Sequence, residues 1–487
     1  GRGSNATDGN GNGAVSALGP PLTLPKGGGA IRGMGEKFAT NVATGAGTFS
    51  VPLPLSPGRA GSVPTVALGY DSARGNGPFG LGWALDVPQV SRRTDKGLPH
   101  YDDRDTFVLA GAEDLVPSTE GPDSTTAPGW TITRYRPRQE EEHLRIERWV
   151  AEDGDSHWRV LTSDNVLHTY GSGLESRIAD PEDPGRVFTW LLSHSRDDRG
   201  NVVAYTYRND DGAGIDLACA CERNRGGRDD PRRRVNRYLK RVRYANRTPL
   251  LDPVGRRPRF VSAADLDDSQ WLLELVLDYG EHDQAAPGPE DIGEWATRPD
   301  PFSTRRAGFE VRTTRRCRRF LMFHHVPDTD HGPGYDGLVR SVELTYAAQD
   351  GATTSTGAGY SKLVAITQYG HRPDGPGYLR RGLPPLELEY SEPEIDPQVR
   401  AVGPGSDNLP AGLIGYEWAD LHGEGAPGLL KREPHGWYYL RNQGPLSAPQ
   451  ATFTPAAVEG SLPQVSLQTR LLDLTGELQQ LQAARAS

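Results

Sequence analysis

His324, His325, Asp328, Asp330 and His331 fall within the stretch "HHVPDTDH" and offer imidazole and carboxylate ligands of the kind that hold zinc. Their spacing argues against that use. The two adjacent histidines follow the apolar "FLMF", so on a strand they face opposite sides, and the Asp and Pro residues after them read as a turn. Cys219 and Cys221, in "CAC", have the wrong separation for the C-x-x-C pair of a zinc knuckle and lack a second pair, so they read as buried or loop thiols. Gly75, Gly77 and Gly80 in "GNGPFG" spell G-x-G-x-x-G, but Pro78 and the following "LGWALDVPQV" start no helix that would receive a pyrophosphate; a structural turn is expected. The glycine run of "LPKGGGAIRGMGEKF" (24–38) also fails as a phosphate loop. Lys37 follows Glu36 rather than glycine, and Phe38 stands where a Ser or Thr hydroxyl is needed.

In "DLHGEGAPG", Asp420 and Gly425 match the D-x-[DN]-x-[DN]-G-x-x-D pattern of calcium loops in propeller-like repeats. His422, Glu424 and Gly428 replace the other expected ligands, which leaves too few hard oxygens, so a metal-free turn is expected. Ten Arg or Lys residues lie between Arg223 and Arg243, and "RTTRRCRRF" adds a second basic run. With a net charge of −10 for the whole chain, these runs are expected to decorate solvated sheet faces or a subunit contact rather than bind nucleic acid, Lys240, Arg241 and Arg243 among them. No catalytic, cofactor-binding or metal-ligating residue is assigned, and no cofactor is expected.

The elements that must carry these residues are strands. The 487 residues exceed one ordinary core, and 59 Gly with 40 Pro are scattered between apolar segments, which points to a turn-rich all-β protein. Val342, Leu344 and Tyr346 alternate with Ser341, Glu343 and Thr345; Leu386, Leu388 and Tyr390 alternate with Glu387 and Glu389. Residues 145–171 read as a three-strand meander with "EDGDS" and "SDN" as turns, and "FTWLLSHSRDDRGNVVAYTYRND" reads as a hairpin turning at "DDRGN". Residues 1–23 read as a flexible leader, and structure is expected to begin near Phe49. The leucines of "SLQTRLLDLTGELQQLQAARAS" allow a helical stripe, but Gly476 interrupts it, and Asp473 aligns with Asp420 in a repeated Asp-Leu-x-Gly-Glu motif. That repeat, about fifty residues apart, suggests propeller blades, with the chain expected to stop inside the propeller. Three cysteines without an even framework suggest folding in a reducing compartment, and no run has the length of a membrane span. Export, where it occurs, is expected without a cleavable signal peptide and without direct membrane insertion.

Taken in order, "LPKGGGAIRGMGEKF", "GTFSVPLPLSPGR", "LGYDSARGNGPFGLGWALDVPQVSRRTDKGLPHYDDRDTFVLAGAEDLVP", "DPRRRVNRYLKRVRYANRTPLL" and "DPFSTRRAGFEVRTTRRCRRFLMFHH" resemble the SpvB-type N-terminal domain shared by B subunits of Tc insecticidal toxin complexes and SpvB virulence proteins. "YEWADLHGEGAPGLLKREPHGWYYLRNQG" resembles the FG-GAP/VCBS-type segment that follows it, and "DDRGNVVAYTY" is similar to an RHS/YD-repeat hairpin. The resemblance implies an SpvB-type β domain over 24–400 and the beginning of a β-propeller over 401–487. It implies a secreted toxin-complex component that forms part of a β-shell with an RHS-type C subunit, encloses a toxic polypeptide, and docks through its propeller on a pore-forming A subunit. Incomplete sheets in such a chain are expected to expose strand edges and promote oligomerisation.

SpvB proteins also carry an actin ADP-ribosyltransferase, whose chemistry uses an Arg, a Ser-Thr-Ser strand and a Glu-x-Glu. Arg340, "TTSTG" (353–357) and Glu392-Pro393-Glu394 imitate that order, but Pro393 occupies the middle of the last motif and the Ser-Thr order is not matched. A non-enzymatic protein is therefore expected. The alternatives are a receptor- or carbohydrate-binding scaffold and an accessory module of an ADP-ribosyltransferase toxin.

Overall fold

Period-two patterning emerges as antiparallel strands throughout the computed structural model, which describes residues 37–40, 47–95, 97–110, 113–119, 121–138, 144–267, 269–329, 333–347, 360–390, 409–410, 412–421, 427–433, 436–443, 453–458, 470–473 and 481–484. Structure begins earlier than Phe49. Strand β1 (Lys37–Thr40), the end of the glycine-rich stretch and the residues after it, pairs with β2 (Gly47–Pro52). β3 (Ala67–Asp71) follows, then a tight hairpin of β4 (Asn76–Gly77) and β5 (Gly80–Leu81), then β6 (Trp83–Leu85); β1, β2, β3 and β6 form one sheet in that order. The G-x-G-x-x-G residues sit in this hairpin. Gly80 has φ +95°, and a Cβ there would lie 2.6 Å from the Ser361 carbonyl oxygen, so the glycine serves close backbone approach.

Next come β7 (Gln89–Arg92), β8 (Phe107–Leu109), β9 (Glu113–Pro117), β10 (Trp130–Pro137), β11 (Arg145–Ala151), β12 (Ser156–Leu161), β13 (Leu167–Tyr170), β14 (Arg177–Ala179) and β15 (Val187–Arg196). From β7 to β13 each strand pairs with the next; β13 pairs with β15, and β15 returns to β7, which closes a ring of eight strands. Side chains fill such a ring. Val90, Phe107, Leu115, Ile146, Trp158 and Trp190 form one buried cluster, with the Phe107 and Trp158 rings 4.9 Å apart.

The sheet forks at β15. Thr189–Leu191 pair with β7, while His194–Arg196 pair with β16 (Val202–Asn209). From there the sheet continues through β17 (Arg237–Asn246) and β18 (Trp271–Asp278); a side hairpin, β19 (Thr297–Thr304) and β20 (Val311–Arg315), precedes β21 (Arg319–Val326), β22 (Tyr335–Tyr346) and β23 (Leu363–Asp374). β24 (Gly377–Gly382) and β25 (Leu386–Glu387) both pair with β23. One face of this extended sheet is closed by the N-terminal sheet: Phe49, Leu68 and Trp83 pack in one cluster with Leu275, Phe320, Val342 and Ile366. Burying that apolar surface is the main stabilising term here.

The chain divides into two compact units, Gly1–Ser391 and Glu392–Ser487. In the second unit β26 (Tyr416–Ala419), β27 (Gly428–Glu433), β28 (Gly436–Leu440) and β29 (Ala457–Val458) form a four-stranded antiparallel sheet over buried Leu429, Leu430, Trp437 and Tyr439. The terminal leucines form β30 (Arg470–Asp473) paired with β31 (Leu481–Ala484) instead of a helix. Among the described residues, no helix is long and apolar enough to cross a membrane.

Candidate functional site

On the face of β18, β21 and β22 that carries Asp278, Arg319 and Glu343, these three stand directly opposite one another across neighbouring strands and alternate in charge. Arg319 Nε donates to Asp278 at 2.5 Å, and Arg380 of β24 donates to Glu343 at 2.6 Å. Such cross-strand pairs stabilise a register as well as a surface. They line a groove of about 760 Å³, together with His282, Ser341, His371 and Tyr378.

Ser341 Oγ and His371 Nε2 lie 2.8 Å apart, which gives two of the three parts of a nucleophilic triad. The third part is missing. His371 Nδ1 has no hydrogen-bond partner among the described residues, and burial, with Arg380 and Arg319 nearby, pushes the imidazole down to about 4, a poor general base near neutral pH. At the edge of the groove Asp278, Glu281 and His282 offer ligand atoms within 4.8 Å of one another, all buried. A cation already stands there. The Lys240 ammonium donates to Glu281, to the Leu277 carbonyl at 3.0 Å and, with 2.8 Å between the nitrogens, contacts His282 Nε2; Asp291 lies 3.1 Å away. Against the cost of burial, the His282 hydrogen bond and the Lys240 charge hold the Asp291 carboxyl well below its ordinary value. The site reads as a lysine-neutralised acid cluster, and the groove as a charged contact surface.

The basic runs divide between surface and interior: Arg223, Arg228, Arg232, Arg234 and Arg318 are exposed, whereas Arg233, Lys240, Arg312 and Arg315 are buried, which corrects the expectation of solvated faces for those four. Lys240 is buried, Arg241 pairs with Glu274 at 3.0 Å, and Arg315 is fully buried against Asp210 at 2.8 Å and Asp211 at 3.1 Å. Arg233 and Arg312 share buried Glu222. Sequence reading missed these pairs because most of the carboxylate partners come from distant segments, and Glu222, eleven residues before Arg233, is brought back to it only by the turns between them.

His324 and His325 separate as their adjacency requires. His324 Nε2 meets Ser56 Oγ at 2.7 Å, while His325 meets Glu274 at 3.1 Å and Asp336 at 2.7 Å. Asp328 accepts from the Gly334 N–H at 2.7 Å and forms part of the turn; Asp330 and His331 lie outside the described residues. Of the residues that imitate a transferase motif, Arg340 donates to the Pro54 carbonyl at 3.3 Å, whereas 353–357 and 392–394 also lie outside them. Asp420 directly follows β26, and Asp473 ends β30; His422, Glu424 and Gly425 are outside the described residues.

With this geometry in hand, comparison with known proteins is decisive. The family model described as Salmonella virulence plasmid 65kDa B protein matches residues 41–326, more than half of the chain. The chain belongs to the SpvB family. Its curated relatives include the mono(ADP-ribosyl)transferase SpvB of Salmonella typhimurium and that of Salmonella dublin, each 36% identical over 349 residues, which are 68% of this chain and 55% of the relative. The chain thus spans about half the length of those relatives. Among solved structures, the N-terminal domain of the effector SpvB from Salmonella typhimurium strain LT2 is similar with a TM-score of 0.56 at 33% identity, covering 66% of this chain and 98% of that one. The TcdB2-TccC3 structure matches 94% of this chain and 22% of that chain, with a TM-score of 0.66 and 33% identity; the Photorhabdus luminescens Tc holotoxin pore matches 93% and 21%, with a TM-score of 0.65 and 32% identity.

These relatives overturn the expectation of a non-enzymatic protein. The curated Salmonella members of this SpvB family are named mono(ADP-ribosyl)transferases, and the similarity covers the N-terminal part of those proteins.

Proposed function

We propose that this SpvB-family chain is a toxin-complex component whose strands form a section of a β-shell that encloses a toxic polypeptide. One observation carries the reading: nearly the whole chain overlays a part of TcdB2-TccC3 at a third identical residues. The extended sheet suits a wall. Its strands are paired side by side, one face is sealed by the N-terminal sheet, and the other carries a charged groove. Residues 24–400 correspond to the shell section in this reading and 401–487 to the beginning of a propeller that docks on a pore-forming subunit. The four-stranded antiparallel sheet β26–β29 has the form of one propeller blade, which supports that assignment. The partners are an RHS-type C subunit and a pore-forming A subunit, and the assembly acts outside the producing cell.

A chimera tests this. The chain replaces the matched segment of TcdB2, and the chimera is co-expressed with TccC3 and run on a sizing column. The proposal expects one species containing both subunits. TccC3 eluting alone, beside a chimera with an intact β-type circular dichroism spectrum, would contradict it.

A further inference from the structure

Cys219 and Cys221 flank Ala220 at the start of a short 3-10 turn (Ala220–Glu222); both are exposed, and their sulfurs stand 2.6 Å apart. The turn rests on a fixed base. The Glu222 N–H donates to the Cys219 carbonyl at 2.9 Å, and the Cys219 N–H donates to the Asp216 carbonyl at 3.2 Å. The Glu222 carboxylate, immediately after the second thiol, is buried and accepts from Arg233 at 2.6 Å and from Arg312 of β20 at 2.5 Å. Arg225 and Glu310 pair at 2.8 Å nearby. Two accessible thiols are therefore held together by an anchored backbone, an arrangement that neither a packing cysteine nor a closed metal site explains. The third cysteine behaves otherwise: Cys317 is fully buried, and burial pushes its thiol well above the ordinary value.

We propose that Cys219 and Cys221 are a redox-active pair that exchanges with low-molecular-weight disulfides of the glutathione class and closes reversibly into an intramolecular disulfide. The inference stands independently of the shell reading. The two sulfurs have unequal roles. Hydrogen bonds from the Cys221 thiol and from its backbone N–H lower the Cys219 thiol below its ordinary value, while the same side-chain contact raises Cys221. Cys219 loses its proton and attacks one sulfur of glutathione disulfide; that S–S bond breaks, and one glutathione thiolate leaves and takes up a proton. Cys221 then loses its proton and attacks the Cys219 sulfur. The mixed disulfide breaks, the second glutathione leaves and is protonated, and the protein disulfide is formed. The balance is two protein thiols oxidised and one glutathione disulfide reduced to two thiols.

Mass spectrometry of the intact, reduced chain after exposure to excess oxidised glutathione decides the matter, with C221S run in parallel. The wild type is expected to lose the mass of two hydrogen atoms and carry no adduct, with peptide mapping locating the bond at Cys219–Cys221. C221S, which has no resolving thiol, is expected to hold one glutathione on Cys219. Wild-type protein that retains glutathione on either cysteine, or whose two thiols both stay free, would overturn the proposal. So would a C221S variant that gains no adduct while the wild type gains no disulfide.

Discussion

The extended sheet and the outer side of the barrel both bury basic side chains, and they neutralise them in different ways. In the sheet and its side hairpin, Arg315 of β20, Arg319 of β21 and Lys240 of β17 each meet a buried carboxylate: Asp210, Asp278 and Glu281. On the barrel, the side of β12, β13 and β15 that faces away from the Trp158 cluster carries His157, Arg159, Thr169, His194 and Arg196, all buried. Among the described residues, no carboxylate pairs directly with Arg159 or Arg196. Arg159 lies 3.8 Å from the centre of the Trp149 ring and 4.9 Å from that of Phe260, its Nε is 3.0 Å from His157 Nε2, and Arg196 donates to the Pro258 carbonyl at 2.9 Å. Burial, then Arg196, pushes the Arg159 guanidinium down to about 10; burial, then Arg257, does the same to Arg196. The lesson is that burial of a cation alone does not say what its loss will cost. What is left behind decides it.

The largest effect is expected where a partner is stranded. Arg315→Met leaves the Asp210 carboxylate buried without its cation, at a cost of roughly 3–5 kcal/mol in urea unfolding, and adding Asp210→Asn should recover part of that loss. Trp158→Ala, at the centre of the barrel cluster, should cost about 3–5 kcal/mol through cavity formation and so calibrates the barrel on the same scale.

Acid should weaken the barrel side first. Burial and then neighbouring arginines push both His157 and His194 down to about 3, below the usual value of roughly 6.5 in an unfolded chain. Above that unfolded value both states are neutral. As pH falls from there towards the folded values, the unfolded chain binds protons that the folded one refuses, and stability declines by about 1.4 kcal/mol per pH unit for each such histidine. His325 has the opposite sign: Glu274 and Asp336 raise it, so its contribution is present at low pH and is lost as pH rises through its folded value. A His157→Asn and His194→Asn double variant should flatten the pH dependence of urea midpoints between pH 6 and 4.5, whereas His325→Asn should leave that window nearly unchanged and remove the decline in stability seen as pH rises above about 6.5.

Two smaller effects sharpen the contrast. Arg159→Met strands no carboxylate and loses mainly its stacking on Trp149, so about 1 kcal/mol is expected, against several for Arg315→Met. Arg380→Ala removes a half-exposed partner of Glu343 and should shift stability by less than about 1 kcal/mol, within the scatter of thermal melts.

Much of the local structure was legible. The meander over 145–171 and the "DDRGN" hairpin could be read because turn formers and period-two runs are local signals, and they became β11, β12, β13, β15 and β16. Ring closure was not legible. It depends on Thr189–Leu191 meeting Gln89–Ser91, a long-range pairing with no sequence motif, and on β15 serving two neighbours. β1 was missed because glycines dilute its pattern. The groove escaped for a related reason: Asp278, Arg319, Glu343 and His371 lie on separate strands, and only register brings them together. The family, in contrast, was legible in the order of whole segments.

Protease protection of the cargo tests the shell reading most directly. TccC3 is co-expressed with the TcdB2 chimera that carries this chain, and the complex is treated with a broad-specificity protease under native conditions. The account predicts that the enclosed polypeptide survives intact and is cut only after the complex is unfolded. Cargo digested at the same rate as free polypeptide, in a complex that otherwise stays assembled, would contradict it.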